Sequence, residues 1–183
     1  MAFVICIVPA APLRKEDDHR SEMISQVLFG EIAELLEDGK SFSRIRCLYD
    51  GYEGWCQTNQ LTGIEGSLAE NCPQALTAGW DTAILLNDHP MHLSLGSSLG
   101  ILRQGKAMLG KYRISCNGQT LDPSGSLFSA DAITSLAMQF LNTPYLWGGR
   151  SVSGIDCSGF VQQLFRFFNR SLPRDAYQQA ESG

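Results

Sequence analysis

A chain of 183 residues with a 44% apolar share can hold one ordinary domain or two to three very small ones, and it is apolar enough to fold. Its formal net charge of -5, with the basic residues scattered, argues against a nucleic-acid role. No stretch approaches the length of a membrane span, and six cysteines without a CxxC pair beside three histidines argue against a structural zinc site.

Residues 3–8, FVICIV, read as an opening strand. The run is too short for the apolar part of a signal peptide and no basic residue precedes it, although Ala10-Ala11 resembles a cleavage site. Pro9 and Pro12 are expected to break regular structure and lead into the mixed charge cluster Arg14–Arg20. The run MISQVLFGE after Ser21-Glu22 fits a helical turn or a short strand. Residues 31–37, EIAELLE, read as strand because Asp38-Gly39 ends them in a turn. Phe42 to Tyr49 follows, then Asp50-Gly51 and GYEGWCQTNQL, with Trp55 as a large core side chain. Cys6, Cys47 and Cys56 sit among alternating apolar residues and read as core thiols, with no spacing that demands a disulfide. Short strands and glycine turns predict a small β-barrel ending near residues 61–64.

Residues 65–79 are polar or small and read as a crossing between domains. The strand rhythm then returns in TAILL, MHLSL, LGIL, KAMLG and KYRIS, with turns at Asn87-Asp88 and Asn117-Gly118, and predicts a second small barrel to about residue 124. His89 and His92 fall in a predicted strand, whose period of two puts them on opposite faces, as surface or packing residues rather than metal ligands. Ser129 begins a helix with the apolar stripe Ile133, Leu136, Ala137, Phe140 and Leu141, which Thr143-Pro144 ends.

The stretch from Tyr145 to Phe168, YLWGGRSVSGIDCSGFVQQLFRFF, reads as a glycine-bent loop entering a helix with Cys157 at the joint. Cys157, Phe160, Val161, Leu164, Phe165 and Phe168 share one helical face. A thiol in a first turn meets unpaired N–H groups and the positive end of the helix dipole, which favour thiolate and can hold an oxyanion. Two readings follow: a nucleophile, or a buried helix cysteine of structural character. A nucleophile needs a base, and no histidine follows Cys157. About fifty residues past Ser129 also rarely bury a sufficient core alone. The chain is therefore expected to stop inside its last domain.

The block YLWGGRSVSGIDCSGFVQQLF, the later LPRDAYQQ, and the upstream SEMISQVLFGE and DGYEGW together resemble the NlpC-type papain-like cell-wall cysteine peptidases. The match is to the subgroup with amino-terminal SH3-like domains that cleaves γ-D-glutamyl-diamino acid bonds. The resemblance implies a multidomain chain. Two small SH3-like all-β barrels, over 1–64 and 65–124, would be followed by the amino-terminal part of an α+β papain-like domain over 125–183. It makes Cys157 the nucleophile, with the base histidine and its orienting residue on positions this sequence does not contain. It also carries over binding residues. Asp156 and Glu22 match carboxylates for the substrate's free L-Ala amine, and Tyr52 contacts the same end. Ser158 and Arg174 would meet the D-Glu α-carboxylate, Tyr145 the oxyanion, and Trp147 would wall the pocket. Read from the residues alone, Glu22 is a cap or surface acid, Asp156 a helix cap, Tyr52 a turn-flanking aromatic and Arg174 a solvated loop residue.

The expected function is hydrolysis of the γ-D-glutamyl-diamino acid bond in a peptidoglycan-derived peptide, L-Ala-γ-D-Glu-diamino acid. The 183 residues by themselves are expected to be inactive for want of the histidine. The alternative is a non-catalytic SH3-like module that binds wall peptides or a protein. No metal, cofactor or nucleic acid is implied, and the expected location is the bacterial cell envelope or periplasm, with a cytoplasmic recycling role as the other possibility.

Overall fold

The computed structural model describes residues 1–182; Gly183, the last residue of the third expected domain, lies outside the described residues. Seven antiparallel strands come first: β1 Ala2–Cys6, β2 Ala10–Arg14, β3 Met23–Leu28, β4 Ile32–Glu37, β5 Phe42–Cys47, β6 Glu53–Gln57 and β7 Leu61–Ile64. They form one sheet in the order β3-β2-β6-β5-β4-β1-β7. Alternating side chains explain the burial. Val4 and Cys6 of β1 pack with Ala11, Leu13, Val27, Ala33, Ile45, Cys47 and Cys56 on one face. Ile5 and Ile7 face the other way and meet Phe29, Ile84, Leu93, Leu99 and Ile114. The unbroken apolar run FVICIV is thus a strand buried on both faces. Pro12 lies within β2 rather than breaking it, because β6 meets β2 only at Arg14↔Trp55 and leaves that side unpaired along Pro12.

After α1 Gly66–Glu70 come β8 Leu76–Thr77, β9 Asp81–Leu86, β10 His89–Ser94, β11 Lys106–Leu109, β12 Tyr112–Ser115 and β13 Thr120–Leu121. The β9–β10 hairpin turns at Asn87 and Asp88, both at positive φ, as a two-residue hairpin loop requires. The four-stranded sheet has the order β10-β9-β12-β11, while β8 pairs with β13 apart from it.

The expectation of two closed barrels is therefore wrong. β3 and β7 do not pair to close the first sheet, and β10 and β11 remain free edges of the second. In the second unit the chain between those edges buries Leu99 and Ile101 against the back of β1 instead of extending the ladder. Apolar burial there comes from packing two open sheets together, not from closing each one. Residues 65–79 likewise supply α1 and β8 rather than a bare crossing.

The last region holds α2 Ala130–Met138, β14 Arg150–Ser151, β15 Gly154–Ile155, α3 Cys157–Arg166 and α4 Ala176–Glu181. Leu136 and Phe140 of the α2 stripe pack with Val152, Ile155, Leu164 and Phe167. The orientation of α3 is the unexpected feature. Within its apolar stripe only Leu164 is buried, Phe160, Val161, Phe165 and Phe168 being half-buried, while Ser158, Gln162, Gln163 and Arg166 on the other side are buried. Their donor groups find partners, while the Oε1 atoms of Gln162 and Gln163 stay buried without one among the described residues. Gln162 Nε2 donates to Asp50 Oδ2 at 2.9 Å, Gln163 Nε2 to the Arg150 carbonyl at 2.8 Å, and Arg166 pairs with Glu31. The helix therefore docks on the first sheet through hydrogen bonds rather than grease.

Candidate active site

Cys157 opens α3 and is exposed, which removes the reading of a buried structural thiol. The residue before it, Asp156, is extended and caps the helix: Oδ1 accepts from the Gly159 N–H at 2.7 Å. The thiol therefore sits beside the first-turn N–H groups that no helical carbonyl uses. The loop leading there is shaped by Gly148, at φ +76, whose N–H donates to Asp156 Oδ2 at 2.8 Å. A Cβ on Gly148 would stand 2.5 Å from the Met23 carbonyl oxygen, so only glycine lets this loop lie against β3.

Asp156 is held from a second side. Arg174 donates to Oδ2 at 2.7 Å and to Oδ1 at 3.1 Å, and the same guanidinium donates to Ser158 Oγ at 2.9 Å and to Ser25 Oγ of β3 at 3.0 Å. Burial alone would raise the Asp156 carboxyl; the Arg174 bond, helped by the Gly159 and Gly148 N–H groups, outweighs it and holds the acid below its ordinary range.

Around this centre lies a cleft of about 390 Å³ lined by Glu22, Ile24, Tyr52, Tyr145, Trp147, Asp156, Cys157, Ser158, Arg174, Asp175, Ala176 and Tyr177. All eight residues singled out in the sequence meet here, although they come from the first sheet, the glycine loop, α3 and the segment after it. Two are linked at the rim, where Trp147 Nε1 donates to Glu22 Oε1 at 2.9 Å. Tyr145 and Trp147 are exposed at the mouth.

One lining residue escaped the sequence reading. Asp175 accepts the Tyr52 hydroxyl at 2.9 Å. Burial, and then donation to this carboxylate, push the Tyr52 phenol well above its ordinary range. A signal was present, since Asp175 follows Arg174 directly and stands at the start of α4; yet its side chain makes no capping bond. The charge balance gives it weight. Glu22, Asp156 and Asp175 face the cleft with one cation, Arg174, which is committed to Asp156; neither Glu22 nor Asp175 has a salt-bridge partner among the described residues.

Among the described residues no histidine lines the cleft. His19 packs edge-on against Phe42, and His92 Nδ1 faces Asp81 at 2.9 Å. No group of three histidine, cysteine or acidic side chains among the described residues could hold a metal ion. No helix there is long and apolar enough to cross a membrane.

The NlpC/P60 family matches residues 142–183, and the bacterial dipeptidyl-peptidase SH3 domain matches residues 13–61. The SH3 match falls within the first of the two expected barrels and supports one SH3-like region there. Among curated proteins, a γ-D-glutamyl-L-lysine dipeptidyl-peptidase of Bacillus subtilis is 47% identical over 55 residues, covering 30% of this chain and 19% of the relative. A protein of the same name from Bacillus cereus is 29% identical over 152 residues, 73% of this chain and 45% of the relative. The chain thus spans less than half the length of these two relatives. The crystal structure of an NlpC/P60 family protein from Bacillus cereus superposes with a TM-score of 0.83 at 19% identity, covering 99% of this chain and 77% of that one. An NlpC/P60 endopeptidase of Photobacterium damselae subsp. piscicida gives 0.77 at 18% identity, over 97% and 45%.

Proposed function

We propose, starting from a chain that joins an SH3-like domain to an NlpC/P60 papain-like cysteine peptidase segment, that its cleft receives the free amino end of a peptidoglycan peptide and presents the γ-D-glutamyl carbonyl to Cys157. The observation that carries this reading is an exposed helix-start thiol sharing one cleft with two carboxylates that lack cationic partners. An ammonium group is the chemical complement of that pair. Glu22 and Asp175, the latter oriented by Tyr52, are its receptor; Asp156 acts by holding Arg174 and the α3 cap, because both its oxygens are already engaged. Ser158 faces the D-Glu α-carboxylate with Arg174 behind it, bonded to Ser158 Oγ and adding positive charge; Tyr145 faces the oxyanion, and Trp147 closes the wall. The sulfur attacks the γ-carbonyl carbon and the C–N bond to the diamino acid breaks. The amine leaves with a proton and water then hydrolyses the thioester, releasing L-Ala-D-Glu.

A cleft without histidine supports a division of labour. These 183 residues supply nucleophile and amino-end pocket, and the base comes from outside them, so this chain alone binds wall peptides without turnover. That reading puts its work in the cell envelope, where such peptides arise.

The test is an affinity label, L-Ala-γ-D-Glu carrying a chloromethyl ketone in place of the scissile amide. Labelling of Cys157 should saturate with concentration, and N-acetylation of the label should abolish saturation. E22Q and D175N should each raise the half-saturating concentration about tenfold, the loss of one charge-assisted contact of roughly 1.4 kcal/mol. Equal labelling by the N-acetylated compound would reject the amine pocket, and labelling of a cysteine other than 157 would reject the nucleophile.

A further inference from the structure

In the ion cluster that joins α3 to the first sheet, two arginines share Glu31 and one of them is far less fully bonded than the other. Glu31 accepts from Arg150 at 3.0 and 3.1 Å and also from Arg166. Arg150 has a further acceptor, the Gln26 carbonyl at 2.8 Å. Arg166 has none: among the described residues its guanidinium makes no other hydrogen bond, although it is 5% exposed and lies 4.7 Å from the centre of the Tyr49 ring. Asp50, the other carboxylate that acts on this cluster, is taken up by the Tyr52 N–H at 3.0 Å and by Gln162 Nε2 at 2.9 Å. The remaining Arg166 donors are not sealed from solvent, so water or a ligand acceptor can fill them, whereas Arg150 Nε is buried without a partner among the described residues.

Arg166 also lines a cavity of about 170 Å³ between the first sheet, α1 and the Ser98 loop. Gln74 and Ser98 add polar wall, Ile32, Leu48 and Leu76 apolar wall, and Cys72 stands at its side. None of its lining residues belongs to the Cys157 cleft. We propose that this cavity is a second binding site, for a small monocarboxylate whose head pairs with Arg166 and whose short apolar body rests on Ile32, Leu48 and Leu76. A planar guanidinium suits a carboxylate held by two parallel bonds. Glu31 also lines the cavity, but Arg150 balances its charge; a monoanion is accommodated there, whereas a dianion would meet stronger repulsion. The carboxylate belongs either to a free short-chain acid or to the carboxy terminus of a peptide.

Cys72 is a half-buried free thiol in the wall and serves as the reporter. Iodoacetamide alkylation of the protein is followed site by site by peptide mass, with sodium acetate, N-acetylalanine or N-acetylalaninamide present. Cys72 should be protected by a factor of one plus the ligand concentration over Kd, about tenfold at nine times Kd. The alaninamide should give no protection. Protection by acetate alone assigns a free acid; protection by N-acetylalanine as well assigns a peptide end. R166Q should lose the effect, and A69F, which places a ring in the cavity and leaves every residue of the ion cluster unsubstituted, should lose it too. The proposal is overturned if neither carboxylate protects Cys72, if the amide protects equally, if protection survives in A69F, or if Cys157 is protected in place of Cys72.

Discussion

Arg174→Met puts the site's electrostatics under direct strain. Arg174 is 2% exposed and its guanidinium makes four hydrogen bonds, two to Asp156 and one each to Ser25 and Ser158. Methionine preserves much of the stem's packing but leaves the Asp156 carboxylate with two backbone N–H groups, the Ser158 hydroxyl and no counter-charge. Removing one partner of a buried pair costs roughly 3–5 kcal/mol, against about 0–1 for an exposed one. Asp156 borders an open cleft, so the expected loss sits at the low end, about 3 kcal/mol. The assay is urea unfolding followed by fluorescence and circular dichroism, whose transitions should coincide. The double variant D156N/R174M gives the sharper comparison. Asparagine still caps α3 and carries no charge to strand, so it should recover more than half of the loss. If R174M costs under about 1 kcal/mol, or the double variant is no better than the single, the pair is not the internal ion pair described here.

Acid should weaken the fold through Glu31 and Asp156. Both are held below their ordinary values, against burial, by arginines and N–H groups, so their stabilisation is present above the unfolded values of about 4 and is lost as pH falls through the lower folded ones. Thermal unfolding should drop between about pH 4 and 2, and E31Q should flatten that drop while lowering stability near neutrality. Gly148→Ala should cost upward of about 1 kcal/mol in the same urea assay, because its φ of +76 and the Met23 carbonyl both oppose a Cβ. In the native protein iodoacetamide should modify Cys157 first and Cys72 more slowly. It should leave Cys6, Cys47 and Cys56 intact, since burial raises all three, Cys56 to about 12.

Much of the chemistry was legible because it is local. The glycine loop, the capping aspartate and the thiol are contiguous, and helix-start physics follows from their order. Strand rhythm and the Asn87-Asp88 turn were equally local. Closure was not, because whether β3 and β7 pair depends on what covers β1, and Ile5 and Ile7 turn out to serve the second sheet. The α3 stripe misled for a related reason. Periodicity identifies the apolar face, but which face is buried depends on partners. Gln162, Gln163 and Arg166 find theirs on Asp50, Arg150 and Glu31, far away in sequence or across a loop. Asp175 went unnoticed because its significance lies in Tyr52, 123 residues upstream.

The polar seam under α3 bears directly on the cleft. An apolar seam would tolerate sliding, since grease is non-directional and repacks at small cost. The bonds from Gln162 to Asp50, from Arg166 to Glu31, from Arg174 to Ser25 and from the Arg150 N–H to Gln26 Oε1 at 2.8 Å each require one register. A displacement of about one strand spacing, roughly 4.8 Å, would break all of them and strand buried charges. The same seam fixes Glu22 and Tyr52, which belong to the first sheet region, opposite Cys157 and Asp175, which do not. Specificity for an amino end at this cleft therefore depends on the directional bonds beneath the nucleophile helix as much as on the carboxylates that face the ligand.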